Sequence, residues 1–310
     1  MAIDTLVTHS GGFHADELMS SVILTKLFPD AELVRSRDAR WITPADDRII
    51  YDVGGAYDAT AQIFDHHQRP GPLRQDGQPY SSFGLIWLHY GKDYLAALAV
   101  PAHDIDAIHS AFDTKYVLPI DLLDNGAIEP SVAGPLSVLT LPALLDGLKP
   151  VFDDTSPTAN DDAFFSALPI VRSFIEALVR DLTATARARG IAQSAIASAG
   201  DSAILELPMG MPYRAALKDA QAEHMLFMVA PRGEDWTLNG IKLSDDTFDQ
   251  RADLPAAWAG LTDAALEVAS GVSGAKFCHN ARFIAVAGSR EAIMQMAQIA
   301  VREALNEANA

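Results

Sequence analysis

The sequence has one cysteine and no long apolar run, and each shortage excludes a class of protein. Cys278 is the single cysteine among 310 residues, so neither an intrachain disulfide nor a Cys-x-x-Cys zinc site can form. No segment approaches the roughly 18 uninterrupted apolar residues of a membrane span, and the first residues lack the pattern of a signal peptide. We therefore expect a soluble, cytoplasmic protein that does not bind membranes.

Basic residues are also scarce. Lys and Arg together number 23 and Asp and Glu number 41, which gives a formal net charge of −18. A field of this sign repels polyanions, so it excludes nucleic-acid binding through a broad basic surface. It leaves open a local site where bound cations reverse the sign.

The motifs of several enzyme classes are absent. The chain contains no GxxxxGK[ST] phosphate loop, no strand-associated GxGxxG and no GxSxG nucleophile elbow. Cys278 beside His279 leaves a Cys–His nucleophile pair open. Adjacent strand residues point to opposite faces, however, which favours a buried structural thiol.

The first half of the chain is predicted to alternate between strands and helices. Gly- and Pro-rich connections are expected at 125–160, after a mostly helical region at 82–124. The predicted strands are Thr5–Thr8, Glu32–Arg35, Arg48–Tyr51 and Gln62–Phe64, with a helix at Ala15–Leu27. This order is typical of an α/β fold whose parallel sheet carries helices on both faces.

The second half predicts a smaller α+β domain. A connecting helix over 161–190, closed by Gly190, separates domains at 1–160 and 191–310, and Pro169 either kinks that helix or marks its start. Further strands are predicted at 203–207, 225–230, 236–243 and 283–287, with helices at 263–270 and 289–306.

Histidines and aspartates follow three of the predicted strands. His9, His14 and Asp16 follow the first, Asp52 follows the third, and Asp65-His66-His67 follow the fourth. Each residue alone would ordinarily be structural, and Gly11-Gly12 could simply form a tight turn. Strand ends of a parallel sheet meet at one edge, however, and imidazole with carboxylate suits divalent transition metals. Two such ions can clamp the oxygens of a phosphoryl transfer.

Six distinctive stretches lie in order along nearly the whole chain: THSGGFHADE (8–17), YDVGGAYD (51–58), FDHHQ (64–68), IDLLDNG (120–126), LPAAWAGLTD (254–263) and FCHNARFIAVAGSREAIMQMA (277–297). Together they resemble the MYG1 family, also called UPF0160. This family lies within the DHH phosphoesterase superfamily, named for the tripeptide seen here at Asp65-His66-His67. The resemblance implies a DHH-type N-terminal domain, a C-terminal substrate-binding domain and two divalent ions, most often Mn²⁺, with Mg²⁺, Co²⁺ or Zn²⁺ as alternatives.

The resemblance also implies roles for individual residues. His9, His14 and Asp52 would hold one ion, and a second would be held by Asp16, Asp52, His66 and Asp124. Asp52, Asp65 and His67 would be catalytic, with Asp65 orienting His66. His67, His279 and Arg282 would bind the substrate phosphate.

The first and fourth motifs each leave a question about the metal ligands. The superfamily's first motif is usually His-x3-Asp-x-Asp, whereas His9-x4-His14-x-Asp16 has an extra residue and one negative charge fewer. The fourth motif leaves Asp121 and Asp124 both open as ligands. The Asn125-Gly126 turn favours Asp124, because it places that residue at the end of an element.

The family is known for 3′–5′ RNA exonuclease activity in eukaryotes. The resemblance therefore implies a metal-dependent phosphodiesterase acting on short RNA or nucleotides, since the net charge disfavours long polyanions. A pyrophosphatase-like phosphatase and a non-catalytic metal-binding regulatory protein are the alternatives. The sequence leaves homodimer formation open.

Overall fold

A computed structural model describes residues 2–244 and 247–308 of the chain. These residues form two compact units, unit 1 (Met1–Ala184) and unit 2 (Thr185–Ala310). The functional division at residues 160 and 190 stays a prediction. None of the helices in the described ranges is long and apolar enough to cross a membrane.

Unit 1 contains a five-stranded sheet with the order β2-β1-β3-β5-β4. The strands are β1 (Thr5–Thr8), β2 (Glu32–Arg35), β3 (Arg48–Tyr51), β4 (Tyr57–Asp58) and β5 (Ile63–Phe64). The first three and β5 are parallel, as expected, while the unpredicted β4 pairs antiparallel with β5 at the edge. At two residues, β4 is too short for its alternation to register in a sequence pattern.

Helices cover both faces of this sheet. Val7, Ile50 and Ile63 are partners on neighbouring strands and share one face of the sheet. Trp41 and Ile42 of the short helix α2 (Ala39–Ile42) pack against them there. Helix α1 (Ala15–Leu27) lies on the other face, since its Ser21 hydroxyl is 2.6 Å from the Tyr51 hydroxyl. The predicted α/β class is therefore confirmed.

The region 82–124 is mostly helical, as predicted. It contains α3 (Ser82–Ala97), α4 (Ile105–Phe112), a π-helical turn (Asp113–Val117) and α5 (Leu118–Asp124). The expected connection at 125–160 holds a 3₁₀ segment (Pro130–Leu139) and a short helix, α6 (Leu141–Asp146). Proline in the first turn of α5 and α6 matches the preference for that position, because the missing N–H would be unpaired there.

The connecting helix is longer than predicted. Helix α7 spans Ala159–Ala199, contains Pro169, and continues through Gly190. The predicted end at Gly190 is wrong because one interior glycine costs only about 1 kcal/mol, which the alanine-rich flanks offset. The helix ends instead at Gly200, whose φ of +55° favours glycine.

Unit 2 has a mostly antiparallel sheet with the order β6-β7-β8-β10-β9, in which only β6 and β7 are parallel. The strands are β6 (Ile204–Glu206), β7 (Phe227–Arg232), β8 (Asp235–Gly240), β9 (Ala275–Cys278) and β10 (Ile284–Ala287). The helices are α8 (Arg214–Asp219), α9 (Asp263–Ser270), α10 (Arg290–Ala308) and a 3₁₀ turn (Ala256–Trp258). This confirms the expected α+β arrangement.

We expect Gly190→Ala and Gly200→Ala to have opposite effects on stability. At Gly190 an added Cβ meets no atom within 4 Å, and alanine is the better helix former, so the free energy of unfolding should rise by about 0.5–1 kcal/mol. At Gly200 the positive φ should make alanine unfavourable by about 1–2 kcal/mol. Urea unfolding followed by circular dichroism measures both, and equal shifts for the two variants would contradict this account of the helix end.

Candidate metal centre

Three parallel strands of unit 1 bring the predicted clusters together. His9 follows β1, Asp52 follows β3, and Asp65, His66 and His67 follow β5, and these strands are adjacent in the sheet. Their carboxyl ends lie at one edge, which is where open α/β sheets bind ligands. The arrangement of the strands therefore places all three clusters around a common point.

Asp52 lies at the centre of this group. Its Oδ2 is 3.1 Å from His9 Nε2, and its Oδ1 is 3.3 Å from His66 Nε2. His66 Nε2 is also 3.2 Å from Asp124 Oδ2. Asp52 has a φ of +57°, an uncommon conformation that Asp tolerates better than most residues and that recurs at functional sites.

The start of α1 contributes the rest of the cluster. Both carboxylate oxygens of Glu17 accept the backbone N–H of His14, at 2.8 and 2.9 Å, and Glu17 Oε1 is 3.1 Å from His9 Nε2. The fully buried Glu17 was not among the predicted site residues. Its position three residues after the N-cap residue His14, where an acidic residue closes a capping box, is the signal that could have identified it.

The buried Asp16 faces the same region as Asp52 and Asp124. Its Oδ2 accepts a 2.8 Å hydrogen bond from the Ser82 hydroxyl of α3. In the described part of the chain there are four overlapping groups whose member ligand atoms lie within 4.8 Å of one another: Asp52, Asp65, His66 and His67; His9, His14 and Glu17; His14, Asp16 and Asp124; and Asp16, Glu17 and Asp52. All six predicted metal ligands belong to these groups, and their ligand roles stay a prediction.

The cluster leaves several buried polar atoms without a hydrogen bond. Among the described residues, Asp16 Oδ1, Asp52 Oδ1 and His66 Nε2 have no hydrogen-bond partner, although His66 and Asp52 approach to 3.3 Å. Buried polar atoms are ordinarily paired, because an unpaired one costs about 1–3 kcal/mol. Unpaired nitrogen and oxygen atoms that lie this close together are suitable ligands for one or more divalent cations.

The pKa values of the cluster also indicate that it suits cations. Burial lowers the pKa of His9, but the Asp52 and Glu17 carboxylates outweigh it and raise that pKa to about 10. Burial raises the pKa of Glu17 to about 8, and burial together with the Asp16 charge raises the pKa of Asp124 to about 8. When no metal ion is bound, carboxylates crowded in this way repel one another. A bound cation, whose positive charge they would share, is therefore favourable.

Asp65 orients His67. Its carboxylate lies 2.7 Å from His67 Nδ1 and accepts the backbone N–H groups of Gly55 and His66 at 2.6 and 2.8 Å. Asp65 contacts His66 through the backbone N–H, whereas the Nδ1 of the His66 ring lies 3.4 Å from Asn125 Oδ1, so the orientation of His66 by Asp65 stays a prediction. Asn125 is thus a second residue that the sequence did not identify as part of the site.

Asp121 and Asp124 lie in different environments at the end of α5. Asp121 is fully buried and accepts hydrogen bonds from Ser81 N, Ser81 Oγ and Gly84 N and from the Arg74 guanidinium, at 2.6–3.2 Å. It thereby caps the start of α3 and neutralises Arg74. Asp124 points to His66 instead. The geometry thus favours Asp124 as the candidate ligand and gives Asp121 a structural role.

The loop between His9 and His14 is held from outside by Arg35. The Arg35 guanidinium donates to Gly11 O at 2.6 Å and to Asp161 of α7 at 2.5 Å, and it lies over the Phe164 ring at 4.4 Å. Both side chains of this brace come from outside the motif that they support. Arg35 is therefore a positioning residue of the candidate site.

A cavity of about 760 Å³ opens onto the cluster, a size common for small-molecule sites. Its lining includes five of the six predicted metal ligands: His9, Asp16, Asp52, His66 and Asp124. The remaining lining residues are polar or apolar groups of the surrounding loops and helices, including Phe13, His14, Arg37, His67, Gln68, Arg69, Ile120, Leu123, Asn125, Pro130, Thr140 and Pro142.

The remaining predicted residues belong to unit 2. Arg282, at a φ of +57°, donates to Asp253 Oδ2 at 2.6 Å, and His279 accepts Ala281 N through Nδ1 and packs on Phe283. Their phosphate-binding roles stay a prediction. Cys278 is fully buried, and burial raises its pKa to about 11, which supports the structural thiol over a nucleophile.

A family model described as "Uncharacterised protein family (UPF0160)", the MYG1 exonuclease family, matches residues 5–301. The chain belongs to the MYG1 family. It is 30% identical to the MYG1 protein of Saccharomyces cerevisiae, with 96% of this chain and 95% of the yeast protein aligned. It is also 30% identical to the human MYG1 exonuclease, over 96% of this chain and 86% of the human protein.

A bacterial MYG1 protein, from Chlamydia pneumoniae, is 28% identical over 96% of both chains. Among solved structures, exonuclease RecJ bound to manganese aligns with 97% of this chain and 91% of its own length at 14% identity. The TM-score of that alignment is 0.25.

We expect Asp121→Ala and Asp124→Ala to separate structural from metal-binding roles. Removal of Asp121 leaves the buried donors of Ser81 and Gly84 unpaired and leaves Arg74 with Asp113 alone, and it should lower the free energy of unfolding by about 1–3 kcal/mol for each donor left unpaired. Removal of Asp124 should change metal-free stability little but reduce the rise in melting temperature that Mn²⁺ produces. Thermal unfolding with and without Mn²⁺ measures both, and the reverse pattern would assign the ligand to Asp121.

Arg35→Lys should weaken metal binding without touching a ligand. Lysine retains the charge but lacks the fork that reaches both Gly11 and Asp161, so we expect about 10-fold weaker Mn²⁺ binding by isothermal titration. Arg40→Lys, at an exposed ion pair with Asp38, is the matched control and should bind Mn²⁺ normally. Equal affinities in the two variants would show that the brace does not position the loop.

Proposed function

We propose that this chain is a divalent-metal-dependent exonuclease, a hydrolase of phosphodiester bonds in short RNA or nucleotide substrates. The observation that carries the proposal is the buried group of Asp16, Asp52 and His66, whose unpaired ligand atoms line a cavity of substrate size. The exonuclease names of the mammalian relatives support it, because the family relationship spans nearly the whole chain.

Two divalent ions, Mn²⁺ foremost, are the proposed cofactors. His9, His14 and Asp52 would hold one ion, and Asp16, Asp52, His66 and Asp124 the other. When bound, such ions lower the pKa of water and offset negative charge that develops at the phosphate. The exposed His67, which Asp65 holds through Nδ1, is left with its other ring nitrogen to bind the substrate phosphate.

The net charge bears on the length of the substrate. In the proposed site, Asp16, Asp52 and Asp124 carry three negative charges, which two divalent ions outweigh by one. Attraction for phosphate is then local, while the rest of a chain with net charge −18 repels a long polyanion. This favours short substrates over long structured RNA. The 3′–5′ polarity and the RNA preference are the finer parts of the proposal and rest on the family resemblance.

The central test is metal-dependent cleavage of labelled oligonucleotides. With Mn²⁺, a 5′-labelled RNA of about five nucleotides should shorten stepwise from its 3′ end, and Asp52→Asn should lose about 10³-fold or more in rate, since Asp52 joins both sets of ligands. Gel analysis of 5′- and 3′-labelled RNA and DNA measures the rate, the polarity and the sugar preference.

Arg180→Gln, a substitution at an exposed residue of α7 outside the cavity, is the control and should retain wild-type rates. Undiminished cleavage by Asp52→Asn would exclude the proposed site. Turnover of pyrophosphate without turnover of any oligonucleotide would exclude the exonuclease. Cleavage of a 50-nucleotide RNA as efficient as that of the short one would contradict the argument from charge.

A further inference from the structure

Arginines near the metal centre are of two kinds. Arg35 and Arg74 are largely buried and paired, the first with Asp161 and the second with Asp113 and Asp121. Arg37 and Arg69 differ from them, because both are exposed and both line the cavity beside the metal cluster. Within residues 2–244 and 247–308, no carboxylate lies within 4.0 Å of either guanidinium.

The chain holds these two arginines close to the candidate ligands. Arg37 Nε donates to Ser10 O at 3.4 Å, and Ser10 directly follows His9. Arg69 lies two residues after His67, and its side chain makes no hydrogen bond with the residues that the structure describes. Two cations with free donors therefore share one cavity with the carboxylates Asp16, Asp52 and Asp124.

Both guanidinium groups line the same cavity as the cluster of carboxylates, in a chain with net charge −18. Arginines that only balanced the carboxylates would pair with them, as Arg35 and Arg74 do with theirs. Arg69 retains all of its guanidinium donors and Arg37 retains all but Nε, and the planar fork of such a group matches two oxygens of a phosphate. The ligand that suits this pair is an anion with several phosphate groups that enters the cavity together with the metal ions.

We propose that Arg37 and Arg69 bind backbone phosphates of the oligonucleotide substrate next to the phosphate at the metal centre. This inference rests on the proposed exonuclease function and extends it, because it assigns a substrate-binding role to residues of unit 1 outside the sequence motifs of the ligands. It also defines the substrate class: chains with two or more phosphates use these contacts, whereas an ester with a single phosphate does not.

The test compares Arg37→Gln and Arg69→Gln with Arg180→Gln, which removes the same charge from an exposed residue outside the cavity. For a pentanucleotide RNA with Mn²⁺, each cavity variant should raise KM about 10-fold with little change in kcat, because a binding contact is lost without disturbing the ions. For bis(p-nitrophenyl) phosphate, which has one phosphate, their kinetics should match the control.

Binding is measured separately, by fluorescence anisotropy of the labelled pentanucleotide with Ca²⁺ in place of Mn²⁺. The slope of log affinity against log salt should become shallower by about 0.7 in each cavity variant and stay unchanged in Arg180→Gln. Affinities and slopes equal to the control would overturn the role of the arginines while leaving the exonuclease intact. Arginine-dependent binding without cleavage would support this inference and contradict the proposed function, and a chain that neither binds nor cleaves would contradict both.

Discussion

The contact of Asp52 with His9 and His66 is the interaction on which the candidate centre depends. Asp52 ends the central strand of three, takes up a left-handed backbone conformation, and places one carboxylate oxygen near each of two imidazoles from the neighbouring strands. Burial raises the pKa of Asp52, but the two imidazoles outweigh it and hold that pKa at about 2, so the carboxylate stays ionised. A buried carboxylate is stable only when a positive charge lies close by. The candidate ligands around Asp52 are arranged so that they and Asp52 could bind the same cation.

The neighbouring loops are held by partners other than the six predicted metal ligands. Glu17 joins the backbone of His14 to the ring of His9, Arg35 ties the glycine turn between them to α7, and Asp65 orients His67. Such outer contacts set ligand geometry and commonly change metal affinity 10- to 100-fold. Glu17 also places an acidic group beside His9, where the first motif has a histidine in place of the more common aspartate.

Negative charge has different effects over the whole surface of the chain and inside the cavity. The net charge of −18 keeps long polyanions away from most of the surface. In the cavity, crowded carboxylates favour divalent cations, and the unpaired Arg37 and Arg69 add positive charge at its edge. One protein can therefore repel a long nucleic acid and attract a short phosphate ester, because electrostatic interactions at these distances are dominated by nearby charges and screened beyond about 8–10 Å.

Much of this protein follows from the sequence by itself. Strands β1, β2 and β3 and helix α1 lie where apolar runs and turn residues predict them, and the order of strands implies that His9, Asp52 and His66 meet, since parallel strands end at one edge. The family, too, is evident from short motifs. These features depend on residues close together in the sequence or on the order of the strands, so the sequence pattern is enough to predict them.

The tertiary structure alone decided the rest. Asp121 and Asp124 are three residues apart on one helix, and only packing against Arg74 and Ser81 directs the first away from His66. Arg35 and Asp161 are 126 residues apart, and no local pattern predicts that they jointly hold the Gly11 turn. The same is true of the partner of Asp65 and of the continuation of α7 past Gly190. In each case the outcome depends on which long-range contact satisfies a buried charge or backbone group, and that contact exists only after the chain has folded.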